Sequence, residues 1–307
     1  MALSFNNPKE YIAELFGTAV LIAMGCLFAT LVGGSFSTAV GVAVAYVGLV
    51  YCIGNLCNCH FNPLITLSML VNKKMDASDS LWYILAQIIG GILGALFAFY
   101  MVTQRAYTDM FRLFPSLFGV DYGIDWVGAI IAEFFFAFVL SYVALKASET
   151  KKIDVRSGAI IAVAMFGLIY VGYNMTSTMV NPAKSIGTAI AMLFSGVDKN
   201  TDALIQLWLF VIVPVLGALF ASLVFLIVSG GDFDVKKFTE GVKNIKKKKE
   251  PAEGEEAAEA EPAEEEVSEE TVPEEQEEVA EAEPAEEVPA DDIPEIESIE
   301  EDAAEKE

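Results

Sequence analysis

Histidine is nearly missing from this 307-residue chain, which carries His60 alone, and cysteine is scarce, limited to Cys26, Cys52, Cys57 and Cys59. Two of those cysteines sit inside apolar runs, so a disulfide framework does not fit. Cys57, Cys59 and His60 make a small group of soft ligands, but no second pair stands at zinc-like spacing and no metal site is expected. Small side chains where the chain turns back before Asn62 account for the group as well. The chain also lacks a nucleophile, base and oxyanion constellation and a phosphate-binding loop, which argues against an enzyme; no cofactor and no nucleic-acid partner is expected. Met1 to Lys9 lacks the basic start and small-residue cleavage pattern of a removed signal peptide.

What the chain has in quantity is apolar sequence, 54% of residues, together with a formal charge of −24. The two belong to different regions. Residues 250–307 hold 28 acidic residues against Lys306 alone, leaving 15 acidic and 18 basic residues before them. A nearly neutral membrane body is thus joined to a polyanion. Within the body, apolar spans are predicted at about 10–33, 38–57, 79–103, 126–147, 157–175 and 203–229, each near the length a helix needs to cross a bilayer. Six spans put both termini on one side. Lys73, Lys74, Lys146, Lys151, Lys152, Arg156 and the lysines of 236–249 fall on that same side, so the excess of positive charge predicts both termini cytoplasmic and a plasma-membrane location. Segment 235–250 carries seven lysines and is either a surface that attracts anionic lipid or a simple stop-transfer cluster. The tail 251–307, built of Pro-Ala-Glu-Glu variants, has almost nothing apolar to bury and is expected to be disordered. It is read as a solvated spacer, or as a segment that binds a basic partner or its own lysine cluster.

Two stretches do not fit a six-span count, NPLITLSML at 62–70 and NPAKSIGTAI at 181–190. Both are too short to cross. Each opens on Asn, a favoured N-cap, followed by Pro, which at the first helical position gives up only an N–H that had no partner. They are predicted to be half-helices whose N-termini meet near mid-bilayer. The chain also repeats itself: Glu14 and Glu133 are 119 positions apart, as are Asn62 and Asn181. Three spans per copy force the copies into opposite orientations, the inverted repeat of many transport folds. Gln87-Ile-Ile-Gly90 in span three and Pro214-Val-Leu-Gly217 in span six occupy matching places. The fold class is therefore an all-α membrane protein with six transmembrane helices and two re-entrant half-helices. Its parts are a channel body at 1–234 (repeats about 10–103 and 126–229), a basic segment at 235–250 and an acidic tail at 251–307.

The stretches GNLCNCHFNPLITL at 54–67, TSTMVNPAKSIGTAI at 176–190, AELFGT at 13–18 and AQIIGGILGA at 86–95 resemble the aquaporin and glycerol-facilitator, or major intrinsic protein, family over roughly Tyr11 to Ser229. The resemblance implies a passive channel, assembled as a homotetramer with one pore per subunit. It makes Asn62, Pro63, Leu64, Asn181, Pro182 and Ala183 the paired pore motifs, and Glu14, Glu133 and His60 the supports of the re-entrant loops. Leu64 replaces the usual Ala and adds volume where the half-helices touch. A proton relay through the glutamates and a pH gate at His60 are the other readings of these groups. Counting without gaps from the Asn anchors, the selectivity filter of the family falls on Val42, Ile169, Thr178 and Lys184; a shift of one turn in span two puts Tyr46 in place of Val42. Val42 and Ile169 would widen the constriction and make it apolar, with Lys184 and Thr178 its polar face. Lysine offers a flexible point charge where water-selective members have the planar fork of arginine. Ser185, Ala189 and Phe210 are markers of the water branch, while Val211 breaks the last match. The implied function is passage of water and small neutral solutes such as glycerol, with cations and protons disfavoured at the Asn-Pro motifs. The alternatives are a channel chiefly for another small neutral solute, an alternating-access transporter, and a membrane anchor presenting the acidic tail.

Overall fold

The computed structural model describes residues 6–103, 125–194 and 202–229. The chain divides into two units, Met1–Lys249 and Glu250–Glu307. The expectations for 235–250 and 251–307 lie outside the described residues.

The described residues form eight α-helices and no strand: α1 (Pro8–Leu27), α2 (Ser35–Ile53), α3 (Pro63–Val71), α4 (Ala77–Thr103), α5 (Trp126–Ala147), α6 (Val155–Thr176), α7 (Pro182–Met192) and α8 (Asp202–Val228). Six are long and apolar enough to cross a membrane, whereas α3 and α7, at 9 and 11 residues, are not. The first span continues past α1 as a π-type turn over Phe28–Val32, and the Phe28 ring covers Gly41 of α2. Side-chain caps start the helices where the sequence offers them. Asp125 accepts the Gly128 N–H at 2.7 Å to open α5, and Asp154 does the same for Ser157 at 2.7 Å to open α6.

The inverted repeat is visible in the packing. The most extensive pairings are α1 with α4 and α5 with α8, the same two elements of each half, and α2 packs on α6 across the halves. A Cβ on Gly90 would come within 2.3 Å of the Leu15 carbonyl, and one on Gly217 within 2.4 Å of the Phe134 carbonyl. Leu15 and Phe134 are themselves 119 positions apart, so both contacts are one contact repeated, and each admits only glycine. The half-helices are shared between the halves. The main partner of α7 is α4 of the other repeat, and α3 packs on α8 as well as α4. Gly91 and Gly187 let α4 and α7 touch backbone to backbone, a Cβ on Gly187 falling 2.2 Å from the Gly91 carbonyl.

Candidate pore

The two half-helices meet at their N-terminal tips. Asn62 Oδ1 accepts the Leu64 N–H at 2.9 Å and Asn181 Oδ1 accepts the Ala183 N–H at 3.0 Å, so each asparagine caps its own helix. The amide nitrogens cross over. Asn62 Nδ2 donates to the Val180 carbonyl at 2.8 Å, and Asn181 Nδ2 donates to the Phe61 carbonyl at 2.9 Å. Each NH₂ group carries two hydrogens, which leaves one per asparagine beyond the crossed bond. The accepting residues sit in the left-handed region, Phe61 at φ 48° and Val180 at φ 52°. That conformation is rare for an aromatic or β-branched residue, and here it aims a carbonyl at the opposite asparagine. Pro63, Pro182, Leu64 and Ala183 are buried in the first turns behind the caps. Leu64 is fully enclosed in the core, so its extra volume is taken up by packing.

Glu14, fully buried on α1, holds the loop before α3. Its carboxylate accepts the main-chain N–H groups of His60 and Phe61, both at 2.8 Å, and the Gln87 amide at 3.0 Å. Gln87 is a support that sequence reasoning noted only for its matching place with Pro214 of the other half. Its Nε2 also donates to Thr66 Oγ1 at 2.9 Å, and that hydroxyl stands 3.0 Å from His60 Nδ1. On the far side of the ring, Nε2 lies 2.6 Å from the Lys151 carbonyl. A carbonyl only accepts, so Nε2 carries a proton, and the ring is held between two elements with Nδ1 facing the Thr66 hydroxyl. A polar residue in an apolar span, one turn before Gly90, was the available signal for Gln87. Nothing in the sequence pairs His60 with Lys151.

Glu133, on α5, holds the second loop by side chains. It accepts Thr176 Oγ1 at 2.5 Å and Thr178 Oγ1 at 3.1 Å, and Thr178 Oγ1 in turn accepts the Val180 N–H at 2.9 Å. Pro214 stands where the other half has Gln87, and it has no side-chain donor.

The four positions expected to form the filter, Val42, Ile169, Thr178 and Lys184, are all buried. The hydroxyl of Thr178 donates to Glu133 and its methyl faces Gly172. Lys184, 8% exposed, donates from Nζ to the Ser177 carbonyl at 3.4 Å. Ile169 and Val42 are completely enclosed. Val42 neighbours Gly25 and Met179, the residue after Thr178. Tyr46 lies elsewhere: its hydroxyl donates to the Cys59 carbonyl at 3.1 Å and its ring stands edge-on to Phe61, beside the first loop. Of the two registers weighed for span two, Val42 is the one next to the second loop. Ala189 is buried, Ser185 half-buried, and Phe210 belongs to a separate small cluster with Ala129, Leu209 and Val213.

Comparison with known proteins agrees with this geometry. The chain is 31% identical over 222 residues to glycerol uptake facilitator protein-like 6 of Lactiplantibacillus plantarum, covering 70% of this chain and 95% of that protein. It is 29% identical to aquaporin Z of Rhodopseudomonas palustris, covering 73% and 94% respectively. In fold it is similar to the aquaglyceroporin from Plasmodium falciparum, with a TM-score of 0.63 and 18% identity over 73% of this chain and 98% of that one. Residues 1–225 match the major intrinsic protein family. The chain therefore belongs to that family and is a multi-pass membrane channel for water or glycerol-type solutes, not an enzyme.

Proposed function

We propose that the chain conducts water and small neutral solutes, glycerol among them, and disfavours cations and protons where the half-helices meet. The observation that carries this reading is the crossed pair of asparagine bonds. It sets two helix N-termini against each other, each worth about half a positive charge, and leaves one amide hydrogen on Asn62 and one on Asn181 for a passing oxygen. Positive ends on both sides repel cations, and successive waters must turn as they pass from one dipole to the other, which interrupts proton hopping. Lys184 adds a fixed positive charge near the second tip. Val42 and Ile169 supply aliphatic walls where water-selective relatives have a ring and an imidazole, and this supports a bore that admits linear polyols. The lysines of the face that holds the start of α1 and the end of α8 support a cytoplasmic location for both termini in a plasma membrane. Subunits assemble as homotetramers in this reading.

Stopped-flow light scattering on liposomes holding the purified protein tests it. Fast osmotic shrinkage followed by fast re-swelling in glycerol is expected. Shrinkage without re-swelling would restrict the pore to water, and neither above protein-free liposomes would remove the channel reading.

A further inference from the structure

The loop before α3 carries a pair of thiols that the pore does not use. Cys57 and Cys59 are both free and buried, and their sulfurs stand 3.8 Å apart. Cys59 lies in the left-handed region at φ 58°, and its sulfur rests over the Cys57 carbonyl at 3.9 Å. The Cys57 thiol faces the Ile53 carbonyl at 3.8 Å. The two follow directly on an exposed turn at Asn55 and Leu56. Gly54, which has no side chain to cover them, is next to the Cys59 sulfur: a Cβ there would come within 3.6 Å of it.

Comparison of the two copies shows that these sulfurs are spared structural duty. In the second copy the places 119 positions on are Thr176 and Thr178, whose hydroxyls hold Glu133. In the first, Glu14 is held by the main-chain N–H groups of His60 and Phe61 and by Gln87, and the Cys57 thiol adds only a weak donor. The Cys59 thiol takes no part in the brace. What surrounds the pair is fixed, by contrast. Asn58, between the two cysteines, donates from its side chain to the Tyr83 hydroxyl at 2.6 Å and to the Glu10 carboxylate at 3.3 Å, and its carbonyl accepts the Ile153 N–H at 3.0 Å. The Cys59 carbonyl accepts the Tyr46 hydroxyl at 3.1 Å.

We propose that Cys57 and Cys59 form a reversible oxidation site, closed to a disulfide by hydrogen peroxide, and that closure lowers flow through the channel. A disulfide holds its sulfurs about 2.05 Å apart, so the pair must close from 3.8 Å. One sulfur attacks a peroxide oxygen; the O–O bond breaks, hydroxide leaves with the thiol proton as water, and a sulfenic acid remains. The second sulfur then attacks the sulfenic sulfur, the S–O bond breaks, and the hydroxyl leaves with the second thiol proton as another water. The dithiol gives up two electrons and peroxide takes them. The neighbouring Cys59 sulfur and burial hold the Cys57 thiol well above the ordinary range, so closure is slow at neutral pH. Because Asn58 is clamped by three elements, the movement is taken up at Cys59. From there it passes to His60 and Phe61, and the Phe61 carbonyl is the one that holds Asn181.

The test uses the full chain in liposomes, held for hours in millimolar hydrogen peroxide at about pH 8, close to the ordinary thiol range. Free thiols are then blocked with N-ethylmaleimide in denaturant, and the peptide that holds both cysteines is weighed by mass spectrometry. Loss of two hydrogens with no maleimide added is expected, together with a several-fold fall in osmotic water flow, both reversed by dithiothreitol. Cys57→Ser and Cys59→Ser should each conduct as the unaltered protein does and keep their flow under peroxide. A peptide that still takes maleimide on both cysteines, or that carries sulfinic acid in place of a bridge, overturns the site. A bridge that leaves flow unchanged, or a serine variant that loses flow as the unaltered protein does, overturns its control of the channel. The effect on flow rests on the channel reading and the bridge does not: liposomes without flow before oxidation would remove that reading and leave the mass result standing.

Discussion

Glu14 takes the N–H groups of His60 and Phe61 directly, whereas Glu133 reaches the Val180 N–H only through the hydroxyl of Thr178. The two halves share a plan, a spacing and a tip-to-tip contact, yet one loop is held by rigid main-chain donors and the other through side chains that can rotate. The first brace has a third leg in Gln87, where the second has Pro214. The first loop is also tied outward, through the His60 ring to Lys151, while its counterpart at the second loop is Met179, which packs over Gly25. An inverted repeat thus preserves the position of a carboxylate more strictly than the atoms that satisfy it. What the two halves share is a buried acceptor behind each re-entrant loop, and hydroxyls serve as relays where amides are not in reach.

Substitutions at the two tips should separate the halves most. Phe61→Gly removes a ring packed on Gly17 and Tyr46, and should destabilise the protein by about 2–4 kcal/mol even after the left-handed strain is relieved. Val180→Gly gives up a smaller side chain and relieves a costlier conformation, so its net change should stay within about 1 kcal/mol. Thermal unfolding in detergent compares them, and equal losses would remove the claimed difference. At the braces, Glu14→Gln should cost about 1–3 kcal/mol, because the new NH₂ confronts a main-chain N–H that can only donate. Glu133→Gln should cost less than about 1 kcal/mol, since a threonine hydroxyl can turn from donor to acceptor. A larger loss at Glu133 in denaturant titration would reverse the ranking of the two loops.

The outer constriction can be sharpened in the same way. Ile169→His together with Lys184→Arg should reduce glycerol re-swelling several-fold while changing water flow by less than about two-fold, since one added methylene-sized difference is worth about 1–3 kcal/mol at a tight site. Unchanged glycerol uptake would take Ile169 and Lys184 out of the filter. The smallest effect is expected away from both tips, at the start of α6. Asp154 caps that helix, and hydrogen bonds from Ser157 hold its carboxyl below the ordinary aspartate range. A lowered value means the contribution is present above the ordinary range and is lost as pH falls through the folded value. Asp154→Ala should therefore cost about 0.5–1 kcal/mol at neutral pH, and the difference from the unaltered protein should shrink in strong acid.

Much of this architecture was legible because it rests on local chemistry. An Asn-Pro pair opening a run too short to span specifies a capped half-helix, and a repeat of 119 positions places the second by the first. The glutamates were legible as buried charges that need partners. Their partners were less so: Gln87 lies 73 positions from Glu14 and Lys151 lies 91 from His60, and no periodicity relates residues brought together by helix crossing. Thr178 shows a different limit. Counting from an anchor finds its place along the loop, but not that its hydroxyl turns to Glu133, because that depends on which buried acceptor stands behind it.

The crossed bonds at the centre have a bearing on regulation. Asn62 is held by the loop of the second copy and Asn181 by the loop of the first, so neither tip can retreat without releasing the other. The middle of the channel behaves as a clasp, and a stimulus acting there would have to undo both hooks together.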